Sequence, residues 1–262
     1  MAEHVRFEVE AGVGRITLNR PEVLNALHTP LARELADAAE RAARDPEVWV
    51  VVIAGAGRAF CSGMDRNELS AGRIGEPFFR HWIRALNRLE DMDKVAVAAI
   101  RGHCLGGGLQ LALACDLRLA AEDALLGLGA TRHGLVPDGA VLRLARVVGI
   151  GRAKELALLN DEIPAEEARA IGLVNWVAPA AAFDDRLGEV LAKCLEGSPT
   201  ATRHTKRLLH HSFHADPRAM IEELVAAQRE CLASEELGEA NRAWEARRQA
   251  RFYPRPRRPP QG

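Results

Sequence analysis

Two glycine-rich stretches hold the residues best placed to do chemistry. The first runs Gly55-Ala56-Gly57-Arg58-Ala59-Phe60-Cys61-Ser62-Gly63-Met64-Asp65, and the second Gly102-His103-Cys104-Leu105-Gly106-Gly107-Gly108-Leu109-Gln110. Each follows an apolar, strand-like run, at 48–54 and 95–100, and α/β sheets place their ligands at such strand ends. Three consecutive glycines let the backbone approach a ligand closely, with N–H groups turned toward developing negative charge. A helix starting at the second loop would add the positive end of its dipole. The chemistry open to such loops is stabilisation of an oxyanion. For either loop alone, a tight turn that needs glycine only for packing is an equal explanation.

Other chemistries lack their motifs. There is no G-x-G-x-x-G for a dinucleotide, no phosphate-binding G-x-x-x-x-G-K-[ST], and no G-x-S-x-G nucleophile elbow. His210 and His214 have i,i+4 spacing beside His211, but no H-E-x-x-H or supporting acid accompanies them. No metal is expected there, and a solvated or subunit-facing surface is the reading. His103 is expected to pack beneath its loop. Arg132 and His133 either touch substrate or face solvent. The five cysteines, Cys61, Cys104, Cys115, Cys194 and Cys231, form no CxxC pair. They read as reduced core thiols of a cytoplasmic protein.

The elements that must position these loops follow from periodicity. Val5 to Val9 alternates, turns at Gly12–Gly14 and resumes at Arg15 to Leu18, predicting a β-hairpin. Leu27, Leu31, Leu35 and Ala38/Ala39 predict an amphipathic helix ending before Asp45-Pro46. The runs 48–54 and 95–100 read as strands buried on both faces, hence a sheet with parallel elements and helices outside it. Residues 70–77 are expected to be flexible. Phe78, Phe79, Trp82, Ile83 and Leu86 then recur at helical spacing as a core stripe. Beyond residue 180 only helices are predicted, at 181–196, 199–213 and 217–247. The chain thus divides into a core domain 1–180, a helical oligomerisation region 181–250, and an arginine- and proline-rich tail 251–262 expected to be disordered. Among 262 residues, 35 Lys and Arg nearly balance 36 Asp and Glu, so neither nucleic acid nor a membrane is an expected partner.

The motifs, taken in order, resemble the enoyl-CoA hydratase/isomerase (crotonase) family. Ile16-Thr17-Leu18-Asn19-Arg20-Pro21 with Asn25-Ala26-Leu27 is similar to its opening hairpin, and 59–65 and 102–108 to its two oxyanion loops. Gly134-Leu135-Val136-Pro137, Gly149-Ile150-Gly151-Arg152-Ala153 and 168–174 continue the pattern. The resemblance implies an α/β crotonase-type spiral of ββα units with a C-terminal helical region, assembled as a homotrimer or hexamer. It implies a coenzyme A thioester as ligand and no permanently bound cofactor. The oxyanion hole would be the backbone N–H groups of Met64 and Gly107. Cys61, Ser62, Asp65, Gly106 and Ala130 would border the substrate. Arg58 would lie near the coenzyme A phosphates. Trp244 and Arg247 would close the acyl or pantetheine site, sometimes that of a neighbouring subunit, and the 78–86 stripe would border the acyl group.

The sequence departs from the family's hydratases at two positions. A hydratase of this pattern places glutamates at 110 and 130 to handle water and proton; here they are Gln110 and Ala130. Glutamine can hydrogen-bond but does not titrate, and alanine does neither, so ordinary hydration is not expected. Asp138 stands where several isomerases of the family carry their acid, and one carboxylate suffices to shuttle a proton between the α- and γ-carbons. Asp after Pro at a helix start is also an ordinary N-cap. The resemblance favours the first reading, an enoyl-CoA isomerase with Asp138 and Gln110 in the catalytic site. The alternatives are a non-catalytic acyl-CoA binding protein, or another enolate reaction such as thioester hydrolysis or decarboxylation.

Overall fold

The predicted hairpin forms from Val5–Glu10 (β1) and Val13–Leu18 (β2), in the computed structural model, which describes residues 3–253. Helix Thr29–Arg44 (α1) follows, and then strand Val50–Gly55 (β3) enters parallel to β2. The buried run at 48–54 thus yields a strand shifted slightly toward its C-terminal end. Its period of two divides it between two cores: Val51 and Ile53 face one side, Val50 and Val52 the other.

After helices Arg66–Ser70 (α2) and Glu76–Asp91 (α3), the chain winds through repeated units. Val95–Ile100 (β4) joins the first sheet, His103–Leu105 (β5) a second, and helix Gly107–Leu113 (α4) closes the turn. Leu117–Ala121 (β6) and Leu125–Gly127 (β7) repeat the step. Helices Asp138–Val141 (α5) and Leu144–Leu159 (α6), strand Ile163–Pro164 (β8), helix Ala165–Ala170 (α7) and strand Trp176–Ala178 (β9) complete the winding. The sheets run β1-β2-β3-β4-β6-β9, parallel from β2 onward, and β5-β7-β8. This is the expected ββα spiral.

Helix Phe183–Leu195 (α8) lays Phe183, Leu187, Val190 and Leu191 on Val50, Val52, Val97 and Leu119. The sheet's covering therefore extends past residue 180. Beyond it lie Pro199–His211 (α9), Pro217–Leu232 (α10) and Glu235–Glu245 (α11). The single helix expected over 217–247 is two, because Ser234 leaves the helical register and its hydroxyl accepts the Leu237 N–H at 3.2 Å. Of the expected tail, Tyr253 sits edge-on against Trp49 with ring centres 5.2 Å apart, so residues 251–253 are fastened to the body. Residues 254–262 lie outside the described part. No described helix is long and apolar enough to cross a membrane.

Candidate active site

Local hydrogen bonding brings the two glycine loops together. Asn25, fully buried, donates its amide to the carbonyls of Ala56 (2.9 Å) and Ala59 (2.8 Å), fixing the entry of the first loop. Cys61 N–H then donates to His103 O at 2.9 Å, and Leu105 N–H donates back to Cys61 O at 2.9 Å. Leu27 clamps the next residues: its N–H donates to Gly63 O (2.7 Å) and its carbonyl accepts from Asp65 N–H (2.8 Å). In extended chain, alternate residues point their backbone groups to opposite sides. With Gly63 and Asp65 turned to Leu27, the Met64 N–H must point away from it. Among the described residues it has no acceptor.

The second donor arises at a helix start. Gly106 adopts φ 53° and ψ −115°, a conformation essentially restricted to glycine, and Gly107 opens α4 directly afterward. The first N–H groups of a helix have no intrahelical acceptor, and the dipole adds positive potential there. A Cβ on Gly107 would lie 2.3 Å from Leu27 Cδ1, and one on Gly108 2.4 Å from Cys61 O. The close approach of the loops therefore excludes side chains at both positions. Gly63 lies against this turn, its Cβ direction only 3.5 Å from Gly107 N. Two unsatisfied N–H groups thus face one cavity, of about 690 Å³.

That cavity gathers Ser62, Met64, Asp65, Gly106 and Gly107 with Gln110, Ala130 and Asp138. Asp65, lining it, is already committed: Oδ1 caps α2 through the N–H groups of Asn67 (3.1 Å) and Glu68 (3.3 Å), and Oδ2 pairs with Arg20 at 3.2 Å. Gln110 Oε1 accepts from the Trp82 indole N–H and from Gly139 N–H, both at 3.1 Å. Two donors on one atom identify that atom as the carbonyl oxygen, so the amide NH2 is the part left for the cavity. Asp138 is half-buried, and burial raises its carboxyl pKa, partly offset by the Gly139 and Asp138 backbone N–H groups and by Arg143. The position preceding α5 is Pro137, with no side-chain cap hydrogen bond. Asp138 is the first helical residue and not the N-cap that the sequence left open.

Other expected site residues lie elsewhere. Cys61 is fully buried outside the cavity lining; its thiol accepts the Gly63 N–H at 3.4 Å and is pushed up to about 12 by desolvation. It shapes the loop as an inert neutral thiol. Arg58 is exposed on the loop, Trp244 is 84% exposed at the end of α11, and Arg247 follows at φ 51°; none of the three lines this cavity. His103, on β5, is also outside the lining, with Nδ1 buried and unpartnered. The aromatic stripe does two jobs: Phe78 and Trp82 are core residues, 1% exposed, and together with Phe79 they line the cavity. Three polar lining residues carried no signal in the sequence: Arg66, Asn160 and Glu162. Arg66 reads as a solvated helix residue, and the other two arrive from a distant turn of the spiral. Among the described residues no three His, Cys, Asp or Glu side chains are grouped to hold a metal.

Comparison with known proteins agrees with this architecture. The family model described as Enoyl-CoA hydratase/isomerase matches residues 8–255. A short-chain-enoyl-CoA hydratase of Clostridium acetobutylicum is 32% identical, over 92% of this chain and 94% of its own. The peroxisomal Delta(3,5)-Delta(2,4)-dienoyl-CoA isomerase of Arabidopsis thaliana is also 32% identical, over 95% and 96%. A solved structure described as a putative enoyl-CoA hydratase from Thermobifida fusca, in complex with CoA, superposes with a TM-score of 0.81 at 33% identity, covering 88% of this chain and 93% of that one.

Proposed function

The chain belongs to the enoyl-CoA hydratase/isomerase family, and on that premise we propose that it moves a carbon–carbon double bond within an enoyl-CoA thioester. The observation that carries this reading is the acid inventory of the cavity. Of the lining acids, Asp65 is spent on Arg20 and on α2, and Glu162 is exposed. Asp138 is half-buried beside Gly139, whose N–H holds Gln110. Position 130 offers only a methyl group, and Gln110 has its carbonyl oxygen committed. Syn-addition of water needs an acid and a base; one-carboxylate isomerisation needs neither of the missing groups.

In this mechanism the thioester carbonyl oxygen accepts hydrogen bonds from Met64 N–H and Gly107 N–H. The Asp138 carboxylate removes a proton from the α-carbon of a 3-enoyl thioester. The electron pair delocalises into a dienolate, whose oxygen carries the charge between the two donors. Asp138 then returns the same proton to the γ-carbon, and the double bond ends conjugated with the carbonyl. Atoms balance with no co-reactant. Burial, by raising the Asp138 pKa, makes the carboxylate a better base. The Gln110 amide places a hydrogen-bond donor at the cavity wall.

Arg58 is proposed to meet the coenzyme A phosphates from outside the cavity. Trp244 and Arg247, too, are proposed to serve the site of a second copy of the chain.

The test is conversion of 3-enoyl-CoA to the conjugated 2-enoyl isomer, followed by ultraviolet absorbance, with 2-enoyl-CoA hydration run in parallel. Wild type should isomerise, and Asp138→Asn should lose about 10²- to 10⁴-fold in kcat, the range for a positioned general base. Hydration without isomerisation, or an Asn variant as active as wild type, would overturn the proposal.

A further inference from the structure

Three basic side chains line the same cavity as the oxyanion donors: Arg66 on the first turn of α2, and Arg132 and His133 on the short turn Thr131–His133. Several other arginines are paired with acids, Arg20 with Asp65, Arg73 with Glu68 and Arg143 with Glu90. Among the described residues, none of these three forms an ion pair with an acid. Arg66 Nη1 lies 3.1 Å from His133 Nδ1 and 2.9 Å from Nε2, two basic groups held together with no counter-charge. Arg132 Nη2 reaches only the carbonyls of Leu159 and Asn160, each at 3.4 Å, so most of its N–H donors are unspent. Gln110 adds its amide NH2, since its oxygen is taken by Trp82 and Gly139. The other lining acids, Asp138 and Glu162, are not within ion-pair distance of these cations. Leu69, Leu135 and Val136 add apolar wall to the same cavity.

We propose that Arg66, Arg132 and His133 form a subsite for an anionic oxygen group carried by the acyl chain, so that the protein selects CoA thioesters with a second carboxylate beyond the thioester carbonyl. The inference rests on the reading above, in which the thioester carbonyl sits between Met64 and Gly107 N–H. A planar guanidinium fork matches a carboxylate in two parallel hydrogen bonds. At a solvent-facing wall the carboxylate surrenders little hydration. Isomerisation of an enoyl thioester ending in a carboxylate uses the same proton shuttle. A phosphate of the coenzyme A moiety offers the same oxygen chemistry, and the experiment separates the two sources.

Saturated thioesters bind without turning over, so binding is read apart from chemistry. Titration calorimetry of the full chain would compare CoA, hexanoyl-CoA and adipyl-CoA, with glutaryl-CoA and pimelyl-CoA bracketing the length. At least one dicarboxylyl thioester should bind about ten- to a hundredfold more tightly than hexanoyl-CoA, the range for charge-assisted hydrogen bonds. Arg66→Gln combined with Arg132→Gln should abolish that preference and leave hexanoyl-CoA affinity unchanged. Both residues are exposed, and retained hexanoyl-CoA binding reports an intact fold. Equal weakening of CoA, hexanoyl-CoA and adipyl-CoA in the variant would assign the cluster to a coenzyme A phosphate and overturn the proposal. No preference in wild type, or a preference unaltered in the variant, would overturn it too. A wild type that prefers dicarboxylyl thioesters yet isomerises no enoyl-CoA keeps this subsite and overturns the isomerase reading alone.

Discussion

A glycine and an aspartate show how the site works at the scale of single residues. A methyl group at Gly107 would overlap Leu27 Cδ1 at 2.3 Å, so Gly107→Ala must shift either the N–H donor or the core residue beneath it. Loss of one oxyanion donor costs about 10²–10³ in kcat. We expect a fall of that order, with a smaller change in acyl-CoA affinity, measured by steady-state kinetics and calorimetry. Unchanged kcat would remove Gly107 from the oxyanion hole. For Asp138, burial raises the folded-state pKa, and the base is active only when deprotonated. The acid limb of the kcat/KM profile should therefore fall above the ordinary carboxylate range. The same shift carries a cost. Between its unfolded and its raised folded pKa, Asp138 binds more protons in the native state, so stability declines as pH rises through that window. Asp138→Asn removes the buried charge and should melt no lower than wild type at neutral pH, as differential scanning calorimetry would read. A variant less stable than wild type would mean that the carboxylate is structural.

At the scale of elements, the donor geometry depends on what flanks it. Asp65 caps α2, pairs with Arg20 and follows Met64 directly. Asp65→Ala should cost about 0.5–2 kcal/mol for the cap alone. It should cost more in total, because the Arg20 side chain, 15% exposed, loses the only acid it pairs with among the described residues. Chemical denaturation would measure the loss, and a stability equal to wild type would show that water replaces both interactions. Helices α5 and α6 illustrate a different dependence. The chain after Asp138 does not form one continuous helix: Leu142 and Arg143 separate two helices, and Gly149 turns out of helical geometry at φ 75° inside the second. The break lets Arg143 reach Gly139 O at 3.0 Å and Asn87 at 2.9 Å, bracing the residue after Asp138 against α3.

At the scale of the molecule, the C-terminal helices leave an apolar surface. Leu209, Phe213, Ile221, Leu224 and Leu232 are each at least half exposed, and Trp244 is 84% exposed. Large apolar side chains left exposed on successive helices are the kind of surface that association covers. We expect a homo-oligomer, whose mass by light scattering is a multiple of the 28.6 kDa chain, and which Leu209→Glu with Ile221→Glu converts to monomers. A monomeric wild type at micromolar concentration would overturn the expectation and leave Trp244 and Arg247 without a site.

Much of the site could be read directly from residue order, because its donors are backbone groups and backbone geometry leaves a local trace. Gly106-Gly107-Gly108 after an apolar strand, and Gly63-Met64-Asp65 after another, announce close-approaching N–H groups, and alternating or helical spacing announces the elements behind them. Side-chain convergence leaves no such trace. Arg66 meets His133, and shares a cavity with Arg132, only because two turns of the spiral bring α2 beside the turn after β7, and Glu162 enters from a third. Gln110 was legible as a residue that cannot titrate, but which end of its amide faces the cavity was decided by Trp82 and Gly139, at separations of 28 and 29 residues. Short-range pattern encodes hydrogen bonds that close within a turn or a strand; groups distant in sequence acquire a partner only when the packed core fixes their distance and direction.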